Sequence, residues 1–306
     1  SIDISCLGKY LRRSYEKNLN LCVEMIGDVE TAQKMADAMT KKDLQSGIQT
    51  IQYQINTLMT SNGQAPFVTL FMHVNDDDPY IEEVAQIIEE ILLQRIQGIK
   101  NTAGVYVTPA FPKLIYVLDE NNIHKDSKYH YLTALAIRCT AKRMYPDYIS
   151  AKKMRENYEG NVFSPMGCRA FLSPYKDENG NYKFDGRFNI GVCTINLPQI
   201  GILAQNDEKK FFEILEKRLD LVKRVGLLRY EHLKNVTSEV SPIHWQHGAI
   251  ARLGHNENID HLLKGGYSTV TIGYIGIYEA SMLVKGVPHT EKEGFEFAMK
   301  IMDKLN

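Results

Sequence analysis

The residue best suited to chemistry is Cys168, which lies in the stretch SPMGCRAFL at positions 164–172. Pro165 and Gly167 interrupt regular structure just before it, so the sequence predicts a constrained loop with the thiol near its tip. The guanidinium of Arg169 would favour the thiolate form of the cysteine or bind an anion such as phosphate. A cysteine buried in an ordinary turn is the open alternative, because a free cysteine is usually a small core residue.

A second polar side chain, Asn189, opens a predicted strand over residues 189–195. A carboxamide donates and accepts hydrogen bonds while it stays neutral, so it can orient the hydroxyl groups of a sugar. The alternative is an asparagine that satisfies only the local backbone at the start of a strand.

Four residues connect a predicted strand at 268–274 to a predicted helix at 277–285: Gly273, Tyr274, Ile275 and Gly276. Free backbone N–H groups at the start of a helix bind phosphate, and glycine lets a ligand approach closely. We predict a phosphate contact here, with glycines needed only for close packing as an equal alternative. The pattern is neither a P-loop nor a dinucleotide-binding fingerprint.

The composition excludes several classes of protein. The chain has 306 residues, of which 44% are hydrophobic and 24% charged, and its formal net charge is −1. This balance gives no basic surface for nucleic acid, and no apolar run reaches the ~18 residues that span a membrane. The five cysteines are scattered without C-x-x-C pairs, which argues against a disulfide framework or a zinc site and for the cytoplasm. Besides Cys168, they are predicted to be packing residues: Cys6, Cys22, Cys139 and Cys193.

Strands and helices alternate along the chain, which predicts an α/β fold with mostly parallel strands. Strands are predicted at 67–74, 103–108, 113–118, 189–195 and 268–274. Helices are predicted at 5–26, 44–59, 127–143, 208–234 and 277–285, with a last one opening at Thr290. A capping box at 40–43 would start the second helix, and Asp78-Pro79 would start a third. No linker marks a domain boundary.

Several further motifs occur in a fixed order around the cysteine stretch: MADAMT at 35–40, TSNGQAPF at 60–67, FPKLI at 111–115, KRMYPD at 142–147, DGRFNIGVCTINLP at 185–198 and TIGYIGIYE at 271–279. Together they resemble the catalytic core of the anaerobic (class III) ribonucleotide reductases, which are glycyl radical enzymes. The resemblance implies a ten-stranded α/β barrel with the cysteine loop running up its middle. Residues 1–306 would be the central part of that barrel, incomplete at both ends.

The resemblance also implies a reaction, the reduction of ribonucleoside triphosphates to 2′-deoxyribonucleoside triphosphates. Cys168 matches the family's thiyl radical cysteine, which removes the 3′-hydrogen of the ribose, and Asn189 matches its active-site asparagine. Residues beside the cysteine and in the strand-to-helix turn would bind substrate: Met166, Gly167, Arg169, Gly273, Tyr274, Ile275 and Gly276.

Other parts of the class III architecture find no counterpart in these residues: the ATP cone, the first barrel strand, the four-cysteine zinc site and the glycyl radical loop. We therefore expect no cofactor within this chain, a glycyl radical and a structural zinc in the full-length enzyme, and no activity from this chain alone. The expected partners are ribonucleoside triphosphates, dNTP and ATP effectors, a radical-SAM activating enzyme, formate as reductant and a second copy in a homodimer.

Two alternatives remain. A lyase resembling pyruvate formate-lyase would usually carry two adjacent cysteines at the loop tip, whereas Gly167 and Arg169 flank Cys168 here. The other alternative is a barrel that binds nucleotides and catalyses no reaction.

Overall fold

The computed structural model describes residues 1–59, 63, 66–167, 170–248 and 250–305. The chain divides into two compact units, Ser1–Phe171 and Leu172–Asn306. Each unit combines parallel strands with helices, so the predicted α/β class is confirmed. None of the helices in the described ranges is long and apolar enough to cross a membrane.

Unit 1 contains six strands and six helices in its described residues. The strands are β1 (Ile2–Asp3), β2 (Thr69–Met72), β3 (Ile99–Lys100), β4 (Tyr106–Val107), β5 (Lys113–Leu118) and β6 (Asp147–Ser150). The helices are α1 (Gly8–Ile26), α2 (Val29–Thr57), α3 (Ile81–Gln97), α4 (Glu120–Ile123), α5 (His130–Arg143) and α6 (Ala151–Asn157), and a 3-10 turn covers Ile4–Leu7.

The sheet of unit 1 is parallel, with the strand order β1-β2-β5-β6. All four residues of β2 are buried, as the continuous apolar run predicts for a strand covered on both faces. Alternation along the strand sends Leu70 and Met72 into the main core, where they pack with apolar side chains of α1, α2, α3 and α5. Phe71 points to the opposite face and packs with Ile115 and Val117.

Two predicted helix starts are wrong. Helix α2 begins at Val29, and its cap is Asp28, whose Oδ2 accepts the Thr31 N–H at 2.9 Å. The predicted cap at 40–43 lies inside this helix, where the buried Thr40 hydroxyl accepts a hydrogen bond from Asn18 Nδ2 at 3.1 Å. Helix α3 begins at Ile81 without a side-chain cap, beyond the predicted Asp78-Pro79 start.

Unit 2 contains two strands and five helices in its described residues. These are β7 (Phe188–Asn196), α7 (Leu197–Ala204), α8 (Glu208–Leu233), α9 (Pro242–Trp245), β8 (Ser268–Ile275), α10 (Ile277–Lys285) and α11 (Lys292–Leu305), with 3-10 turns at Ser238–Val240 and Asp260–Leu263. The predicted turn at 177–181 is confirmed, because Lys176 and Tyr182 form an antiparallel bridge around it.

Strands β7 and β8 form a two-stranded parallel sheet in which Cys193 is opposite Ile272. One face of the pair packs against helices: Ile195 joins the cluster that includes Phe211 and Leu215 of α8. On β8 the same face carries Val270, which comes so close to Gly226 of α8 that an added Cβ would lie 2.9 Å from its Cγ1. Helix α8 therefore packs on this side of the pair, although Val270, Ile272 and Tyr274 of β8 remain about 40% exposed there.

Candidate active site

Three aromatic rings of unit 1 pack together where the loop that carries Cys168 begins and ends. Phe163 precedes the loop and Phe171 follows it, with ring centroids 5.7 Å apart, and Tyr158 contacts both at 5.1 and 5.5 Å. Within the loop, the Met166 N–H donates to the Ala170 carbonyl at 2.8 Å. Edge-to-face aromatic packing and this backbone bond fix where the loop leaves and rejoins the chain.

The part of the loop that leads to Cys168 lies on the sheet face opposite α1, α2, α3 and α5. Thr69 of β2 is fully buried, and its hydroxyl donates to the Gly167 carbonyl at 2.9 Å. Gly167 also needs to be a glycine, because a Cβ there would lie 2.6 Å from the ring of Phe67. Cys168 and Arg169 themselves lie outside the described residues, so their roles stay predictions.

The Asn189 side chain is held on both ends of its amide. Its Oδ1 accepts the Gly191 N–H at 2.8 Å, and its Nδ2 donates to the Thr271 hydroxyl on the neighbouring strand. The register between β7 and β8 shifts between Asn189 and Gly191, so a bulge lies directly beside the side chain. Bulges often re-aim a side chain next to a functional site.

The face of the β7–β8 pair that carries Asn189 and Thr271 is opposite the one that packs on α8, and its side chains are mainly polar, with exposed Val192 and Ile275 among them. Thr194 and Asn196 alternate with the buried Ile195 and are exposed. Gly273 lies on this face as well, because a Cβ there would meet the Thr194 hydroxyl at 3.0 Å. A polar and partly open sheet face of this kind suits a hydrophilic ligand.

Both strands of this pair run directly into a helix at the same edge of the sheet. Asn196 caps α7, with its side chain accepting the Gln199 N–H at 3.1 Å. Gly276 is the N-cap of α10 with φ of 85°, which favours glycine, and no side chain caps this end among the described residues. The first N–H groups of α10 are thus left for another acceptor, as an anion site requires.

Not all of the predicted turn lies on the Asn189 face. Tyr274 alternates with Gly273 and therefore points to the same side as Ile272, towards the helices. Glu279 stands in the first turn of α10, and an added Cβ on Gly276 would lie 3.3 Å from its Oε2. This carboxylate favours the helix dipole but would repel a phosphate at the same place.

A buried ionic cluster in unit 1 was not predicted. His73 and Asp119 follow the ends of β2 and β5, and their side chains form a 3.0 Å hydrogen bond. Arg155 of α6 donates to both oxygens of Asp119, at 2.8 and 2.7 Å. Burial alone would raise the pKa of Asp119, but the hydrogen bonds from His73 and Arg155 outweigh it and hold that pKa well below its usual range.

The described thiols other than Cys168 are poor candidates for chemistry. Cys139 is fully buried, and burial raises its pKa to about 11, while Cys22 is buried against the Met39 sulfur at 3.7 Å. Cys193 is half-buried on β7. The prediction that Cys6 is a packing residue is wrong, because it is exposed at the start of the chain. No cluster of His, Cys, Asp or Glu within the described ranges could hold a metal ion.

Sequence reasoning missed Thr271 and Gly191 as neighbours of Asn189. The signal for Thr271 is present in the sequence STVTIGYI at 268–275, because alternation sends Thr269, Thr271 and Gly273 to one face and apolar residues to the other. The bulge that brings Gly191 to the amide has no comparable signal.

The family profile and the curated relatives that match this chain carry the same description. The family profile described as anaerobic ribonucleoside-triphosphate reductase matches residues 4–306. The curated anaerobic ribonucleoside-triphosphate reductase of Enterobacteria phage T4 is 38% identical over 307 residues, which cover 98% of this chain and 48% of the relative. That of Escherichia coli (strain K12) is 34% identical, with 92% of this chain and 39% of the relative covered. This chain thus spans about half the length of these relatives or less.

Solved structures agree at the level of the fold. The anaerobic ribonucleotide reductase from Thermotoga maritima with glycerol in the active site superposes with a TM-score of 0.56 at 16% identity, covering 87% of this chain and 42% of that one. The same enzyme in complex with dATP and CTP also gives a TM-score of 0.56 at 16% identity, covering 98% of this chain and 52% of that one. From the profile match over nearly its whole length, this chain belongs to the anaerobic ribonucleoside-triphosphate reductase family.

Proposed function

We propose that residues 1–306 form the central part of the catalytic barrel of a radical enzyme that reduces ribonucleoside triphosphates to 2′-deoxyribonucleoside triphosphates. The observation that carries this proposal is the position of Asn189, on a mainly polar sheet face opposite α8, with its amide held by Thr271 and Gly191. We infer the reaction from the family to which the chain belongs. The geometry around Asn189 supports the binding of a sugar on this surface.

The arrangement of helices and site residues around the two parallel sheets supports the proposed ten-stranded barrel. In a barrel of this kind, helices cover the outer face of every strand and the reacting groups line the inner face. In unit 1 the Gly167 arm of the cysteine loop lies on the face opposite α1, α2, α3 and α5, where it accepts a hydrogen bond from Thr69. In unit 2 Asn189 lies on the face of its own strand pair opposite α8.

Cys168 carries the proposed reaction. A thiyl radical at its Sγ takes the hydrogen atom from C3′ of the ribose, so an S–H bond forms, a C–H bond breaks and the unpaired electron moves to the sugar. The 2′-hydroxyl then takes up a proton and leaves as water, and formate, which is the proposed reductant, is oxidised to CO2 while its two electrons and its proton go to C2′. Cys168 finally returns its hydrogen atom to C3′, which regenerates the thiyl radical. A glycyl radical in the full-length enzyme supplies the unpaired electron.

The other predicted site residues bind and orient the substrate in this proposal. The Asn189 amide hydrogen-bonds to the ribose hydroxyls, and the backbone at 273–276 contacts the phosphates, with the uncapped start of α10 as the anion-binding element. Gly167 and its neighbours Met166 and Arg169 shape the approach to the thiol.

The proposed partners follow from the same assignment. The relative from Thermotoga maritima binds dATP and CTP, which supports a ribonucleotide substrate and a deoxyribonucleotide effector for this chain too. A radical-SAM activating enzyme and a second copy of the chain complete the proposed assembly.

Nucleotide binding by the 306-residue chain tests this assignment without any turnover. We expect calorimetry to show tighter binding of CTP than of its 2′-deoxy counterpart, because the Asn189 amide contacts the 2′-hydroxyl. Asn189→Ala should erase the difference, whereas Asn179→Ala, in an exposed turn of the same unit, should keep it. Equal binding of both nucleotides by the unmodified chain would contradict the proposed role of Asn189.

A further inference from the structure

The bulge at the start of β7 and one residue of β8 together determine how the Asn189 amide is presented. We propose that Thr271 is a positioning residue, which fixes this amide so that one N–H and one oxygen lone pair remain for a vicinal diol of the substrate. This inference rests on the proposed function and adds to it the residue that sets the orientation of Asn189.

The hydrogen-bonding capacity of the amide leads to this pairing. A carboxamide has two N–H donors and an oxygen with two acceptor sites. The Thr271 hydroxyl takes one donor, and the Gly191 N–H takes one acceptor site. In the described contacts one donor and one acceptor site of the amide are left, and two adjacent hydroxyls of a substrate can use both.

The bulge itself is held from the helix side of the sheet. A side chain on Gly191 would overlap the guanidinium of Arg229 on α8, so only glycine allows this close approach. Arg229 Nη1 also donates to the Val192 carbonyl at 3.4 Å. The Gly191 N–H is therefore one restraint on the Asn189 amide, and Thr271 on the neighbouring strand supplies a second.

A neighbouring hydroxyl on this face, that of Thr269, is free to contact a ligand. Thr269 is the register partner of Asn189, and its Oγ1 is buried without a hydrogen-bond partner in the described part of the chain. A buried hydroxyl without a partner costs free energy, which a hydroxyl-bearing ligand would recover.

The local restraint is tested by NMR on this chain with 15N-labelled asparagine. Asn189→Ala assigns the side-chain signal, and Asn179, in an exposed turn, gives the reference for an unrestrained amide. Thr271→Val keeps the side-chain shape and removes the hydroxyl, so hydrogen exchange of the Asn189 NH2 group should become about fivefold to tenfold faster, as expected for loss of one hydrogen bond. Thr271→Ser should restore slow exchange. Exchange that is as fast in the unmodified chain as in the Val variant would overturn the inference.

The consequence for the reaction is tested in a full-length reductase that contains residues 1–306, made for instance by exchanging them for the matching half of the phage T4 relative. Thr271→Val should lower kcat about tenfold with KM changed less than twofold, and Thr271→Ser should recover most of kcat. An enzyme that needs Asn189 but tolerates Thr271→Val would overturn only this inference. An enzyme indifferent to Asn189→Ala would overturn the proposed function, and the exchange experiment would still report on the local restraint.

Discussion

The sheet face of unit 1 that carries Thr69 and the sheet face of unit 2 that carries Asn189 differ in character. In unit 1 the face is apolar and closed: Phe71, Ile115 and Val117 are at most 1% exposed, and the cysteine loop lies over this side through Gly167. In unit 2 the face is mainly polar and partly open, with Asn189 and Thr271 joined across the strands. A covered apolar face suits a loop that packs on it, whereas an open and mainly polar face can receive a ligand.

The ionic cluster at the sheet edge of unit 1 gives the largest predicted effect on stability. Asp119→Asn should lower the free energy of unfolding by about 3 kcal/mol, because it removes the charged acceptor of two interactions, one with the buried His73 and one with the more exposed Arg155. Urea unfolding of the 306-residue chain measures this loss. Glu120→Gln is the control, since its exposed carboxylate pairs with the exposed His124 and should contribute little.

The same cluster predicts an acid dependence. The folded-state pKa of Asp119 lies below its unfolded value of about 3.9, so its contribution is complete above that pH and is lost as the pH falls towards the folded-state pKa. Unfolding curves of Asp119→Asn and the unmodified chain should therefore converge below about pH 3.9. Curves that stay equally separated there would contradict a role for the Asp119 charge.

The glycines at the two ends of α10 should differ in how much stability an alanine substitution costs. Gly276 and Gly286 both have positive φ, of 85° and 73°, but a Cβ on Gly276 would overlap Pro198, whereas nothing lies within 4 Å of one on Gly286. Gly286→Ala should cost about 1 kcal/mol of backbone strain, and Gly276→Ala clearly more, as measured by thermal unfolding. Equal losses would show that the close approach to Pro198 is unimportant.

The smallest predicted effect concerns phosphate binding at the start of α10. Glu279→Gln should tighten binding of a nucleoside triphosphate severalfold, corresponding to about 0.5–1 kcal/mol, because it removes a carboxylate from the uncapped helix end. Calorimetry on the 306-residue chain measures the change. Glu296→Gln, at an exposed position within α11, should leave the affinity unchanged. Unchanged affinity in both variants would place the phosphates elsewhere.

The sequence predicted elements with strong periodicity well, and it failed where side chains act across elements. Helix α10 and strands β5, β7 and β8 were predicted within two residues of their observed bounds, since apolar alternation and glycine boundaries mark them. The start of α2 was wrong because a capping pattern can occur inside a helix, where Thr40 bonds to another helix.

At the candidate site, the residue types of Asn189 and Gly276 indicated function, but their neighbours depended on register. The contact between Asn189 and Thr271 joins two strands that are far apart in the chain, and the bulge that shapes it is a property of the pairing. The contact between Asp119 and Arg155 similarly requires the sheet to be assembled. Local propensity does not encode such distances.

The most direct test of the central claim is the activity of Cys168→Ala in the full-length reductase that contains residues 1–306, activated without oxygen. We predict no formation of deoxyribonucleotide with nucleotide binding retained, while Cys193→Ala, which changes a half-buried thiol of β7, stays close to the unmodified enzyme. Deoxyribonucleotide formation by Cys168→Ala at the unmodified rate would contradict the assignment of the radical to this residue.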